Sequence, residues 1–264
     1  MDASALHPFD PALAEPFVRA AIEGSAVPSF PGVDPAWSSR VSALANAGYE
    51  RALLGQERGY HEMTSAFGQV VAAAHPTFMQ EGLSLTAWEA QIDRGAGMLL
   101  RPPARLFIEA GLDPSVARKF AIRLDANLGM MGGSYIPPRL VPQFAALIEH
   151  RFDRLVKRLV AAEMDPLPMM AILIEATNYA DEHDLGLFET MGVIVPDAPD
   201  SFPPGSTLVV FDKKHVNPDL RARVEEAAKP PKEPGRLSRL LGRGKSTPID
   251  DFPTTLNGHV TGDE

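Results

Sequence analysis

The chain contains no cysteine among its 264 residues. This absence excludes disulfide bonds, thiolate metal sites and a cysteine nucleophile. No apolar run approaches the roughly 20 residues that a transmembrane helix requires, because "MMAILI" and "MGVIV" end after a few positions. The opening "MDASALHPFD" also lacks the basic and then apolar segments of a signal peptide. We therefore expect a cytoplasmic protein without a transmembrane segment.

The chain has fewer basic than acidic residues, 25 Lys and Arg against 34 Asp and Glu, and its net charge is -9. This balance argues against specific nucleic-acid binding. The chain has no Gly-x-Ser-x-Gly and no His-Glu-x-x-His motif. "GRGKST" resembles the end of a phosphate-binding loop, but Arg239 occupies the position of the first glycine. These absences favour a protein that is not an enzyme, and no cofactor is predicted.

Helix signals dominate what is present. Asp34, Asp113, Asp165 and Asn217 each stand directly before a proline, which is the N-cap and first-turn pattern of a helix start. Apolar residues follow at helical spacing. Helices are predicted over 35–74, about 87–100, 103–110, 114–129, 137–163, 165–186 and 217–228. The expected fold is mainly α, a multi-helix orthogonal or bundle-like domain.

Composition divides the chain into three parts. Residues 1–34 are proline-rich and predict an N-terminal arm with one short helix. Residues 35–228 predict the helical core, and residues 229–264 a disordered tail. Two β-type runs, "MGVIV" and "TLVVF", predict a small two-stranded ribbon at about 191–211 near the C-terminus.

A coiled-coil-like seam is predicted on the first long helix, because one set of mostly apolar residues recurs there at alternating spacings of four and three. Gly48 interrupts the pattern and predicts a kink or a helix end. The seam favours a helical interaction or scaffold protein that self-associates or docks a partner. Its members are Tyr49, Leu53, Gln56, Tyr60, Met63, Phe67, Val70 and Ala74.

An alternative function is suggested by "GMMGGSYIPPR" at 129–139, which lies between two predicted helices. Helix starts offer unpaired amides, glycines allow close approach of a ligand, and nearby arginines favour a carboxylate or phosphate. A turn explains the same residues without a ligand, with Tyr135 in the core and the arginines paired to acids of 161–200. The candidate anion-binding residues are Arg101, Arg105, Gly132, Gly133, Ser134 and Arg139.

Two acid and histidine pairs suggest a metal-binding bundle as a further hypothesis. Glu57 and His61 stand four positions apart, and Glu175 and His183 stand eight apart with Tyr179 between them. Two such helices could share a metal ion if they face each other. Exposed pairs of this kind are also ordinary features of a helix surface.

The tail carries a basic amphipathic segment, "GRLSRLLGRGKS", at residues 235–246. Its three leucines lie among the basic residues Arg236, Arg239, Arg243 and Lys245. Such a segment could dock on a partner groove or contact an anionic membrane surface peripherally, with its core at 235–245. Its glycines are equally compatible with a solvated, disordered peptide.

Overall fold

A computed structural model describes residues 4–80, 84–119, 131–194, 203 and 206–229 of the chain. Helices surround a five-stranded sheet with strand order β3-β4-β1-β2-β5. β5 is parallel to β2, and the other neighbours are antiparallel. The mainly helical class is thus confirmed, with a mixed sheet added to it. The strands are β1 (Ser4–Phe9), β2 (Thr77–Gln80), β3 (Met131–Ile136), β4 (Gly186–Met191) and β5 (Leu208–Val209).

The helices follow the predicted starts closely. The side chains of Asp34, Asp113, Asp165 and Asn217 each accept a hydrogen bond from the backbone amide two residues later, at 2.7 to 3.0 Å. The helices are α1 (Ala14–Glu23), α2 (Pro35–Leu53), α3 (Glu57–Ala74), α4 (Leu85–Gln91), α5 (Arg94–Gly97), α6 (Pro103–Glu109), α7 (Pro114–Ala117), α8 (Val141–Ala161), α9 (Pro166–Glu182) and α10 (Pro218–Ala228). Short 3₁₀ turns at Pro11–Leu13 and Pro138–Leu140 precede α1 and α8.

Two predicted helices differ from the observed ones. The helix expected over 87–100 is divided into α4 and α5, because the buried Asp93 caps α5 through the amide of Gly95 at 2.7 Å. The helix expected over 114–129 begins at Pro114 as predicted, and its residues beyond 119 lie outside the described part of the chain.

The segment assigned to an N-terminal arm contributes to the core. All six residues of β1 are buried, and β1 lies between β4 and β2 in the middle of the sheet. Pro8 is unusual in a central strand, because proline cannot donate a ladder hydrogen bond. It lies beyond the three residues that pair with β2, so only β4 borders it. α1 buries Phe17 in the same core.

The predicted ribbon between 191–195 and 207–211 is wrong in its pairing. β4 lies earlier than expected, at Gly186–Met191, and pairs with β1 and β3. β5 has only two residues and pairs with β2. β1 supplies β4 with a six-residue ladder in the middle of the sheet, and β5 adds a two-residue ladder at its edge, so both runs pair within a larger sheet and not with each other.

The predicted single seam helix is a hairpin of two helices. α2 ends at Leu53 and α3 begins at Glu57, with Gly55 between them in the left-handed region at a φ of 73°. Tyr60, Met63 and Phe67 of the seam are buried within the domain's own core. These three members of the seam are therefore internal to the domain, whereas Leu53 at the end of α2 is exposed.

Gly48 lies where α2 and α3 cross, and it is not a helix end because α2 continues to Leu53. A Cβ atom built on Gly48 would lie 2.8 Å from the backbone nitrogen of Met63, and one on Gly59 would lie 2.4 Å from that of Ala52. Real Cβ atoms do not approach backbone this closely. The two glycines thus let α2 and α3 pack with their backbones in near contact.

The sheet has an apolar core on each face. Phe9 and Phe188 point towards α3, where both rings meet Phe67 edge-on with centroids 6.1 and 5.1 Å away. Leu6 and Leu187, on alternate positions, pack with residues of α4, α8 and α9. The sheet therefore separates α3 from α9, which decides where their polar residues can meet.

Candidate functional site

The candidate site is built around Tyr135 of β3. The backbones of Tyr135 and Arg101 exchange two hydrogen bonds of 2.8 and 2.9 Å, so Arg101 adds a one-residue bridge to the sheet beside β3. The Tyr135 ring is 3% exposed and meets Phe9 edge-on at 6.2 Å. Because this packing fixes the ring, it also fixes the direction in which the phenol hydroxyl points.

Three arginines act electrostatically on that phenol. Burial of the ring, followed by the negative charge of Glu109, raises the pKa of Tyr135, and the charges of Arg105, Arg101 and Arg139 partly offset this rise. All three guanidinium groups therefore lie within electrostatic reach of one hydroxyl. We call Arg101, Arg105 and Arg139 the arginine cluster.

The three arginines are held differently. Arg101 Nη1 donates to the carbonyl oxygens of Met98 and Leu100, both at 2.8 Å, which fixes its guanidinium against the preceding turn. Arg105 Nε donates to Glu109 Oε1 at 3.0 Å, one helical turn away on α6. Arg139, on the 3₁₀ turn after β3, is exposed and forms no ion pair within the described residues.

The cluster carries an excess of positive charge. Among the described residues, Glu109 is the one carboxylate that acts on this phenol, against three guanidinium groups. The alternative prediction paired these arginines with acids of the 161–200 segment. Arg105 instead pairs with an acid of its own helix, so two positive charges of the cluster are not balanced by Glu109.

The glycines and the serine of the predicted anion site lie elsewhere. Gly132 and Gly133 are part of strand β3, where Gly132 pairs with Thr190 of β4, rather than a turn between helices. Ser134 is fully buried and its Oγ donates to Glu189 Oε2 at 3.3 Å. Since Glu189 alternates with Phe188 along β4, Ser134 points to the face opposite Tyr135.

Glu189 is a buried polar centre on that opposite face, and the sequence analysis did not identify it. Its Oε1 accepts the Ser4 hydroxyl at 2.8 Å and the Leu85 amide at 2.6 Å. Gln80, the strand partner of Ser4, is also buried, and its side-chain amide makes no hydrogen bond within the described structure. Three donors on one carboxylate connect β1, β3 and the start of α4.

His7 forms a second buried polar group, on the α3 face of β1. Its Nδ1 lies 3.1 Å from Thr77 Oγ1 and its Nε2 lies 2.9 Å from Thr190 Oγ1. Complete burial lowers the pKa of His7 to about 3, so the ring is neutral at physiological pH. A neutral imidazole has one donor and one acceptor nitrogen, and the two threonine hydroxyls satisfy both.

The structure does not bring the four candidate metal ligands together. Glu57 and His61 lie at the start of α3, and Glu175 and His183 lie on or beside α9 across the sheet. Tyr179 stacks on His183 with ring centroids 4.2 Å apart. No group of three or more histidine or acidic side chains suited to a metal ion occurs among the described residues.

Tyr135 and Glu109 are the site residues that sequence reasoning missed. Tyr135 was predicted only as a core residue, and the four-residue spacing of Arg105 and Glu109 was the available signal for their pairing.

Within the described chain, no helix is long and apolar enough to span a bilayer. Comparisons with protein families, with curated proteins and with solved structures found no match to this chain.

Proposed function

We propose that the protein binds a small anionic ligand, a carboxylate or a phosphate, at the arginine cluster. The supporting observation is that three arginines from three separate segments act electrostatically on the hydroxyl of Tyr135. Arginine presents several donors in a planar fork that matches both kinds of anion. The charges that act on this phenol among the described residues, three positive and one negative, favour an anion over a cation.

Each residue has a distinct role in this proposal. Arg101 is fixed by two carbonyl oxygens and supplies a positioned positive charge. Arg139 is exposed and can turn its guanidinium onto the ligand. The raised pKa of Tyr135 keeps the phenol protonated at neutral pH, so its hydroxyl can donate to the anion.

Calorimetric titration with inorganic phosphate and with succinate tests this proposal. Arg139→Ala removes one charge-assisted interaction, which is worth about 1.5–3 kcal/mol, and should weaken binding roughly 10- to 100-fold. Tyr135→Phe should weaken it by a smaller factor without loss of the fold.

Arg19→Ala is the control, because it removes the same charge from an exposed arginine on α1 that does not belong to the arginine cluster. Equal affinity in Arg139→Ala and Arg19→Ala would contradict the proposal. Absence of binding of both anions to the unaltered chain would contradict it as well.

Self-association is a second proposal. It is supported by two adjacent apolar residues at the end of α2, Leu53 and Leu54, which are 54% and 75% exposed. A second copy of the chain covering them would remove this apolar surface from water.

Sedimentation velocity over a range of concentrations tests self-association. The double variant Leu53→Ser and Leu54→Ser should shift the protein towards monomer, whereas Met98→Ser, which alters a residue that is 78% exposed, should not. A strict monomer at every concentration would refute this proposal.

A further inference from the structure

A groove is lined by four separate segments, α8, α9, β5 with the loop that follows, and α10, and its volume is about 600 Å³. This volume falls within the range of about 300–1,000 Å³ that is typical of ligand sites. None of the lining residues belongs to the arginine cluster.

The floor of the groove is apolar. Val209, Phe211 and Leu220 are each half-buried against the core below, and Ile174 of α9 continues the same surface. Val210 beside them is 55% exposed. Covering these side chains would remove apolar area from water, which favours an occupant that carries apolar groups of its own.

The rim of the groove is acidic. Glu149 accepts a hydrogen bond from Arg223 at 2.7 Å, which lowers its pKa. The pKa of Asp212 is also lowered, first by the backbone amide of Lys214 and then by His215. Both carboxylates are therefore ionised at neutral pH.

Two further carboxylates on the rim have no such partner. Glu175 on α9 and Asp219 in the first turn of α10 are exposed and form no ion pair within the described residues. Among the lining residues, Arg223 carries the one permanent positive charge. It pairs with Glu149, and its guanidinium carbon lies 3.8 Å from the centre of the Phe152 ring. The rim thus has a negative excess.

The distribution of these charges favours an extended occupant. The four carboxylates come from α8, α9, the loop after β5 and α10, and among the described residues no three acidic or histidine side chains lie close enough together to share a metal ion. A chain with several basic side chains can meet them, whereas a single ammonium group meets only some. β5 also ends the sheet, with β2 as its one neighbour in the described order, and edge strands can accept an added peptide strand.

We propose that this groove docks a basic peptide segment of a partner protein. Its apolar side chains cover Val209, Phe211 and Leu220, and its lysine or arginine side chains meet Glu175 and Asp219. This docking site goes beyond the anion site, since its ligand has the opposite charge and it uses different elements of the fold.

Fluorescence polarisation on the full chain tests the proposal with a labelled peptide of alternating lysine and valine. The double variant Glu175→Gln and Asp219→Asn removes two charges and should weaken binding by up to about 30-fold, because each surface charge pair contributes up to about 1 kcal/mol. A peptide with glutamate in place of lysine should not bind. Leu220→Ser should weaken binding as well, because it makes the floor polar.

The matched control is Asp181→Asn with Glu182→Gln, which removes the same charge from exposed positions at the end of α9. Equal weakening by both double variants would overturn the proposal, because it would indicate general attraction to a chain of net charge -9. Complete displacement of the peptide by spermine, which has charge but no apolar side chains, would overturn it in favour of a small polyamine. Circular dichroism of each variant verifies that the fold is retained.

Discussion

His7 should make the stability of the domain depend on pH in a way that one substitution can isolate. In the folded chain its pKa is about 3, because the ring is buried without a charged partner. In the unfolded chain it returns to 6.5. Between these values the unfolded state binds more protons than the folded state, so the free energy of unfolding falls as pH falls from 6.5 towards 3.

The size of this effect follows from the two pKa values. Lowering the pH from 7.5 to 5 leaves the folded His7 neutral and protonates the unfolded one, which removes about 2 kcal/mol from the free energy of unfolding. Domains of ordinary stability have about 5–15 kcal/mol in total, so the loss is measurable. The stability is fully present above pH 6.5 and declines below it.

Urea denaturation at pH 7.5 and at pH 5 measures the effect. His7→Gln should be less stable at pH 7.5 but should lose about 2 kcal/mol less than the unaltered chain on acidification. His150→Gln is the control, because His150 is exposed on α8 and should leave the pH dependence unchanged. NMR titration of the histidine rings gives a direct answer, and a His7 ring that protonates near pH 6.5 would refute the reasoning.

Three further predictions concern packing and buried charge. Gly59→Ala should destabilise the domain by about 1–3 kcal/mol in urea denaturation, because its Cβ would meet backbone of α2; unchanged stability would contradict the close crossing. Glu189→Leu should be far more destabilising than Glu189→Gln, because leucine leaves three buried donors without an acceptor at about 1–3 kcal/mol each; similar melting temperatures would contradict this. Asp93→Ala should lower the free energy of unfolding by about 3 kcal/mol, because Asp93 is buried, caps α5 and pairs with Arg151 at 2.5 Å; a loss no larger than that of the exposed control Asp153→Ala would contradict it.

The helices could be predicted because their signals are local. An aspartate or asparagine before proline satisfies a backbone amide two residues later, and this depends on no other part of the chain. The strands could not be predicted in the same way. β2 has four residues, β1 contains Pro8, and β3 contains two glycines, so each is a poor strand by composition alone.

The candidate site was predictable in part for the same reason. Arg101, Arg105 and Arg139 could be grouped because each lies at a proline-marked junction. Ser134 was grouped with the arginines, but its side chain points to the face of the sheet opposite Tyr135. That direction follows from strand alternation, and the two glycines before Ser134 gave no strand signal in the sequence. Tyr135 was predicted to be buried, and it is, but its role among the arginines depends on the bridge to Arg101.

The central position of β1 has a consequence for how the chain folds. Ser4 and Glu189 are hydrogen-bonded although 185 positions separate them, so the middle of the sheet depends on one of the longest loop closures the domain contains. Contacts so distant in sequence slow folding. During synthesis β1 would be made first and β4 much later. A ribosome-bound or truncated chain that stops before Gly186 would leave one edge of β1 without its partner strand, and such an edge is a template for aggregation.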